Sequence, residues 1–192
     1  VSEYLNDQGV AHGCFYGGME QIDRELALIK FRNGSHRLII ATDLAARGLD
    51  IPEIKYILHY HLPIKESEFV HRNGRTARMH SDGTVYVLNY KGERLPEFIP
   101  KLQEADLSAA ETEEAVKWKT VMISGGRRDK ISKGDVAGLC FKQGGLKKDQ
   151  LGVIELQQKN SFVAVHSACA LDLIKKIDGL KLKTKKVRVS GV

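Results

Sequence analysis

Three apolar runs limit the possible folds of this chain more than any other feature. They lie at residues 37–42, 55–60 and 83–89, and none of them alternates apolar with polar side chains. Runs of this kind are typical of strands buried on both faces of a parallel sheet. Helical periodicity at 21–31 precedes the first run, and helical periodicity at 66–77 lies between the second and the third. Because parallel strands need crossover connections, the pattern predicts an α/β layer with right-handed crossovers.

Shorter elements complete this first part of the chain. We predict a helix at 3–8 that ends at Gly9, and a short strand at 11–15. The segment 92–103 is also predicted to be helical, although it contains Pro96 and Pro100.

A different order of elements follows residue 116. Ser132 is a suitable N-cap for a helix, with Asp135 three residues later as its capping-box partner. The predicted order is βαββαβ, which favours a smaller α+β domain with an RRM-like sheet. Its elements are strands at 119–124, 151–157, 161–166 and 185–190, and helices at 132–141 and 168–177.

The charge is divided unevenly along the 192 residues. Residues 1–116 carry 13 Lys and Arg against 18 Asp and Glu, whereas residues 117–192 carry 17 against 6. We therefore predict a first domain at 1–103, an acidic linker at 104–116 and a basic domain at 117–192. A segment with a net charge of +11 is a candidate for binding a polyanion. A lysine-coated surface that binds nothing is the alternative.

Several classes of protein are disfavoured by composition. The three cysteines have no CxxC spacing, which argues against a disulfide framework and against a zinc site. No apolar stretch is long enough to span a bilayer, and no secretory signal is visible at the N-terminus. We expect a cytoplasmic protein without a membrane partner. The chain does not begin with Met and is expected to be a fragment.

Two segments carry the strongest chemical signal. The first, ATDLAARGLDI at 41–51, places Thr42 and Asp43 just after a predicted parallel strand, at the edge where open α/β sheets bind ligands. Gly48 in that segment would let the backbone approach a ligand closely. Taken alone, Asp43 could be a helix N-cap and Gly48 a turn residue.

The second segment, HRNGRTAR at 71–78, contains two arginines three residues apart. Arg75 and Arg78 would face the same way on a helix or tight turn and could converge on the negative charge of a triphosphate. Separately, the arginines could be a solvated basic face and His71 a packed histidine. The joint occurrence of both segments, after a QxxR element at 21–24, is much less easily produced by chance.

Together these segments resemble the C-terminal RecA-like lobe of DEAD-box RNA helicases. The resemblance covers residues 1–103 and departs from the family pattern at Asn73 and Ala77, which are spacer positions. The first strand of that lobe would precede Val1. The chain contains neither a GxxxxGK[ST] phosphate loop nor an Asp-Glu-Ala-Asp sequence. The resemblance implies that both belong to an N-terminal lobe outside this chain, which would hold most of ATP and Mg²⁺.

The resemblance also implies roles for individual residues. Arg75 and Arg78 would be catalytic arginine fingers, and Asp50 would contact the ribose of ATP near Gly48. His71 and Arg72 would couple the two lobes. The RNA side would carry Gln21, Arg24, Thr42 and Asp43. Contacts of this kind are made to phosphates and are tolerant of RNA sequence.

The basic domain begins with a glycine turn and a cationic cluster at 124–135. The cluster consists of Arg127, Arg128, Lys130 and Lys133, which could hold an RNA phosphate. A solvated loop before a capped helix is the alternative. The run resembles the start of the DbpA-type RNA-binding domain, and the match covers 119–190. Phe162 is the single aromatic of its strand and could stack on a base or belong to the core, so we expect RNA affinity to rest on loops.

These observations predict the C-terminal portion of a bacterial ATP-dependent RNA helicase. By resemblance, its auxiliary domain would tether it to structured RNA, in particular large-subunit ribosomal RNA, during ribosome assembly. A helicase of cold-shock adaptation or RNA decay is an alternative within the class. A non-enzymatic RNA-binding or chaperone module is an alternative of another class, although simple RNA binding does not require two arginines beside Asp50.

Overall fold

The computed structural model describes residues 1–43, 54–76, 82–105 and 116–192. They divide into two compact units, Val1–Ile40 together with Glu114–Val192, and Ala41–Glu113. Most of the predicted linker at 104–116 lies outside the described residues. The domain limits 1–103 and 117–192 therefore stay predictions.

The described helices and strands follow the predicted α/β order at the start of the chain. Two strands, β1 and β2, form a two-stranded sheet. Within the described part of residues 1–105 the elements are α1 (Ser2–Asp7), β1 (His12–Phe15), α2 (Gln21–Arg32), β2 (Leu38–Ala41), β3 (Tyr56–His59), α3 (Glu66–Asn73) and β4 (Thr84–Val87).

The strands β3 and β4 pair in parallel, with Tyr56 opposite Thr84 and His59 opposite Val87. This confirms the predicted parallel pairing. Burial on both faces is wrong for β3, because Tyr56 and Leu58 are 53% and 54% exposed. The opposite face of β3 carries His59, whose ring packs against Phe69 of α3 at a centroid distance of 4.9 Å.

The predicted helix at 92–103 is wrong. The described residues 91–105 contain turns but no helix. Pro96 and Pro100 lack the N–H group that a helix interior needs, and each disfavours helical backbone at the residue before it. Two turns are present instead: Glu93 N–H donates to the carbonyl of Tyr90, and Ile99 N–H donates to the carbonyl of Pro96, both at 3.0 Å.

The basic domain has the predicted βαββαβ order, with one additional hairpin. The elements are β5 (Trp118–Ile123), α4 (Lys133–Lys142), β6 (Leu151–Leu156), β7 (Ser161–His166), α5 (Ala170–Ile177), β8 (Lys181–Leu182), β9 (Lys185–Lys186) and β10 (Val189–Gly191). The four-stranded antiparallel sheet has the spatial order β10-β5-β7-β6. The hairpin formed by β8 and β9 precedes the last strand.

One face of this sheet packs against both helices of the domain. Its apolar side chains come from alternate positions of the strands, as the period of two requires. Val121 and Val163 are directly opposite each other in this face and are fully buried. The helices contribute residues spaced three and four apart, including Val136 and Leu139 of α4 and Leu173 of α5. The loop that carries the cationic cluster at 127–133 is anchored to this core through Ile131.

A candidate arginine site and nucleic-acid interface

The two motif segments are joined by one pair of side chains. Arg72, on α3, donates through Nε and Nη2 to the two carboxylate oxygens of Asp43 at 2.5 and 2.6 Å. Asp43 lies two residues after β2. A two-pronged contact between guanidinium and carboxylate is among the strongest and most directional ion pairs in proteins. It brings the segments beginning at Ala41 and His71 together.

A partly buried polar network continues from this ion pair. Arg72 Nη1 donates to the carbonyl of His61 at 2.8 Å and lies 3.2 Å from Nδ1 of His59. Because the guanidinium can only donate, Nδ1 accepts and Nε2 carries the proton. That Nε2–H donates to Oδ1 of Asn73 at 2.8 Å. Burial lowers the pKa of His59 below its usual 6.5, and Arg72 adds to this, whereas Asn73 opposes it.

Sequence reasoning missed two members of this network. Asn73 is predicted to be a spacer, but its Oδ1 accepts the hydrogen bond from Nε2–H of His59, which is 1% exposed. The signal that could have found the pair is a histidine at the end of a predicted strand and an asparagine in place of an apolar residue on the next helix. Neither residue type is favoured in a core unless it has a partner.

The predicted catalytic and nucleotide-binding residues are only partly described. Arg75 follows α3, and its backbone N–H donates to the carbonyl of Arg72 at 3.2 Å. Its carbonyl accepts from Ile54 N–H at 3.2 Å. Arg78, Gly48 and Asp50 lie outside the described residues, so convergence of the two arginines stays a prediction.

The predicted RNA-side residues on α2 lie in its first turn. Gln21 is exposed and donates to Glu25 at 2.9 Å. Nε of Arg24 is buried without a hydrogen-bond partner among the described residues. Thr42 is exposed directly after β2, and His71 is exposed on α3. Their contacts with RNA, and the coupling role of His71 and Arg72, stay predictions.

The cationic cluster lies on a loop that backbone contacts hold in place. Arg127 and Arg128 donate through their backbone N–H groups to the carbonyls of Gln157 and Gln158 at 2.9 and 3.0 Å. Lys130 has a left-handed backbone with φ of 57°. The side chains of Arg127, Arg128, Lys130 and Lys133 are exposed. Within the described ranges none of the four forms an ion pair, which leaves their charge available.

A second set of lysines faces this loop from the β8–β9 hairpin. Lys185 pairs with Asp129 at 2.8 Å, and Lys183 pairs with Asp135 at 2.8 Å and also donates to the carbonyl of Lys130. The hydrogen bond from Lys183, supported by Ser132, lowers the pKa of Asp135 to about 2. The hairpin therefore neutralises both carboxylates of the loop. The surface is left strongly cationic.

The predicted capping box at the start of α4 is confirmed. The Asp135 N–H donates to Oγ of Ser132 at 3.2 Å, and the Ser132 N–H donates back to the Asp135 carboxylate at 2.8 Å. This reciprocal pair satisfies two of the free donors at the helix start. It also fixes the position of Lys133, the first residue of α4.

Two domain families match the chain. Residues 1–80 match the helicase conserved C-terminal domain, and residues 120–190 match the DbpA RNA binding domain. Each match covers less than half of the chain. The chain is similar to DbpA-type DEAD-box RNA helicases, because it carries both of these domains.

Two relatives align with nearly the whole chain. The ATP-dependent RNA helicase DbpA of Escherichia coli strain K12 is 34% identical over 98% of this chain and 43% of its own length. The protein of the same name from Bacillus subtilis strain 168 is 28% identical over 99% of this chain and 46% of its own length. The chain thus spans about half the length of the curated relatives it matches.

A solved structure of the C-terminal domain of the DEAD-box protein Dbp5 aligns with a TM-score of 0.42. It is 27% identical over 47% of this chain and 54% of that chain. In the described part of the present chain, no helix is long and apolar enough to cross a membrane.

Proposed function

We propose that this chain is the C-terminal part of an ATP-dependent DEAD-box RNA helicase. The contact between Arg72 and Asp43 carries the proposal, because it joins the two motif segments through a partly buried, two-pronged ion pair. A module that only bound RNA would not need this arrangement beside Arg75. The matches to the helicase C-terminal domain and to the DbpA RNA binding domain support the same function.

In this proposal Arg75 and Arg78 are the arginine fingers of ATP hydrolysis. They stabilise negative charge that develops on the phosphates in the transition state. Gly48 and Asp50 contribute to the nucleotide site, with Asp50 at the ribose. The described residues contain no group of three or more His, Cys, Asp or Glu that could hold a metal ion. As the resemblance implies, we assign Mg²⁺ and most of the phosphate contacts to the N-terminal lobe of the full-length protein.

Asp43 has a positioning role in the RNA side of the lobe. Both of its carboxylate oxygens accept from Arg72, and a carboxylate would repel a phosphate placed directly against it. Thr42, Gln21 and Arg24 then supply the phosphate contacts of the lobe. Such contacts make the lobe tolerant of RNA sequence.

The basic domain tethers the helicase to structured RNA. Its exposed cluster at Arg127, Arg128, Lys130 and Lys133 supports a phosphate-binding role. We propose large-subunit ribosomal RNA as the target, ribosome assembly as the process and the cytoplasm as the location. This part of the proposal follows from the DbpA type of the domain and from its charge.

The catalytic part is tested in the full-length protein with Arg75→Ala. Single-turnover ATP hydrolysis should fall by orders of magnitude, as about 10³–10⁵ is lost when arginine fingers are absent in GTPases. RNA affinity should change much less, because it is distributed over many residues. Arg94→Ala is the matched control, since Arg94 is exposed and pairs only with Glu97 in the described structure. Equal losses of hydrolysis and RNA affinity would contradict the finger role.

The tethering part is tested with Arg127→Ala combined with Lys130→Ala. Affinity for ribosomal RNA and its salt dependence should both decrease, because each lost phosphate contact removes about 0.7–0.9 released counterions. The control is Lys175→Ala combined with Lys176→Ala, which removes two exposed charges from α5. Affinity that decreases equally in both double variants would show a general charge effect and no localised site.

A further inference from the structure

The basic domain has a second sheet face, opposite the one that packs against its helices. Directly paired residues share this face: Thr120 with Ala164, and Met122 with Phe162, which also pairs with Glu155. Thr120, Ala164 and Phe162 are 2%, 0% and 7% exposed. A sheet face of a small domain would be solvated if nothing lay on it. Part of the same chain therefore covers it.

The covering segment is the C-terminal end of α2 and the turn after it. Arg32, the last residue of α2, donates through Nε and Nη2 to the two carboxylate oxygens of Glu155 at 3.0 and 2.7 Å. Both side chains are about three-quarters buried, with relative exposures of 25% and 24%. This two-pronged ion pair fixes the orientation of the end of α2 on the sheet, because a guanidinium and a carboxylate form two parallel hydrogen bonds in few relative orientations.

Residues 33–35, which follow α2, cover the centre of this sheet face. Asn33, which is 5% exposed, donates through Nδ2 to the hydroxyl of Thr120 at 2.8 Å. That hydroxyl lies 2.8 Å from Oγ of Ser35. Gly34 has φ of 78°, and a Cβ at this position would lie 3.2 Å from the Trp118 ring. The polar side chains of Asn33 and Ser35 thus have a hydrogen-bond partner in Thr120 of the sheet. The backbone at Gly34 lies against the Trp118 ring.

We propose that this face is an intramolecular docking surface for residues 32–35, so that the RNA-binding domain is clamped to α2 and its sheet is closed to RNA bases. The part concerning RNA rests on the proposed function, whereas the docking does not. RNA is then restricted to the loop and hairpin lysines at the edge of the sheet. Of the two roles left open for Phe162, this favours packing in a covered face over stacking on a base.

The clamp also gives α2 a second role. Gln21 and Arg24 lie in its first turn, and Arg32 is its last residue. A rise of 1.5 Å per residue separates Gln21 from Arg32 by about 16 Å along one rigid helix. The RNA-side residues of the helicase domain are therefore held at a fixed distance from the RNA-binding domain.

Docking is tested on the full chain without RNA, through its single tryptophan, Trp118. Arg32→Glu and Glu155→Arg should each shift Trp118 emission to longer wavelength and increase its quenching by acrylamide. The double variant, which restores opposite charges, should return both properties most of the way to wild type. Arg94→Glu is the control, because its ion pair is exposed at 87% and 89%. Unchanged emission and quenching in both single variants would overturn the proposal.

Asn33→Ala is a second variant that keeps all charges. It should increase hydrogen exchange of the Thr120 and Ala164 amides relative to amides in the core of α5, while circular dichroism remains unchanged. Equal exchange in Asn33→Ala and wild type would overturn docking, even if the charge variants failed to fold.

The closure to RNA is tested separately by ultraviolet crosslinking to ribosomal RNA. Wild type should crosslink at 127–133 and not at Phe162, and Arg32→Glu should gain a crosslink at Phe162. A wild-type crosslink at Phe162 would overturn closure. If the wild-type chain bound no RNA at all, the proposed function would fail, and the docking measurements would still decide the clamp.

Discussion

Gly126 provides the sharpest test of how the RNA-binding loop is built. A Cβ at this position would lie 2.4 Å from the carbonyl oxygen of Gln157 and 2.7 Å from that of Gln158. Both are backbone atoms and cannot rotate away. The φ of Gly126 is −148°, which alanine adopts readily, so the effect of Gly126→Ala is steric.

The expected loss follows from the contacts that must break. To relieve the clash, the loop has to move away from the β6–β7 turn, and the backbone hydrogen bonds from Arg127 and Arg128 are lost. Two such bonds contribute roughly 1 kcal/mol each. Residual overpacking adds about 1–3 kcal/mol. Gly126→Ala should therefore destabilise the domain by about 3–5 kcal/mol, a large part of the roughly 5–10 kcal/mol typical of small domains.

The matched control is Gly138→Ala in the middle of α4. A Cβ there meets nothing within 4 Å. Alanine is the better helix former, so this variant should gain about 0.5–1 kcal/mol. Urea unfolding followed by circular dichroism measures both free energies of unfolding. If Gly126→Ala were as stable as wild type, the close approach of the loop to the β6–β7 turn would be refuted. Where the domain still folds, Gly126→Ala should also bind RNA more weakly, since Arg127 and Arg128 are displaced.

Three further predictions concern stability. The hydrogen bond from Lys183 lowers the pKa of Asp135 from 3.8 to about 2, so the carboxylate stabilises the fold above pH 4 and this contribution is lost as the pH falls towards 2. In urea unfolding at a series of pH values, Asp135→Asn should therefore show a smaller loss of stability between pH 4 and pH 2 than wild type. Burial lowers the pKa of His59 below 6.5, so His59 takes up a proton in the unfolded chain at a higher pH than in the folded chain. Wild type should therefore lose stability as the pH falls below about 6.5. In thermal unfolding, His59→Gln should lose less stability over the same pH range. Leu173→Ala, at a position 1% exposed, should reduce the free energy of unfolding by about 2–5 kcal/mol, and a loss below 1 kcal/mol would contradict its place in the core.

The basic domain could be predicted in detail because each of its main helices and strands is indicated by residues within that element. The capping box at Ser132 and Asp135 fixes the start of α4, and apolar residues three and four apart define the buried side of α5. The β8–β9 hairpin could not be predicted. It consists of two-residue strands rich in lysine, and its turn depends on Lys183 with φ of 55°, a conformation that lysine rarely adopts.

The candidate site was predictable only in part, for a different reason. The sequence pattern singled out the segments that contain Asp43 and Arg72, but it gave these two residues separate roles and did not predict the ion pair between them. Sequence reasoning could not specify which arginine pairs with Asp43. It also could not find the partner of Asn73, because His59 is 14 positions away and the pair is defined only once β3 and α3 are packed.

The strand β7 shows that a covered sheet face leaves a signal in sequence. An antiparallel sheet with one solvated face alternates apolar and polar residues. In β7 the residues Phe162 to Val165 are all apolar, and Ser161 to Val165 are all buried. Its only polar side chain before His166 is Ser161, whose hydroxyl donates to the carbonyl of Gly125. A central antiparallel strand without alternation therefore indicates that both faces are packed. One face is covered by the helices of the domain and the other by residues 32–35, which is a physical reason for a domain with this sheet to bind RNA at its edge.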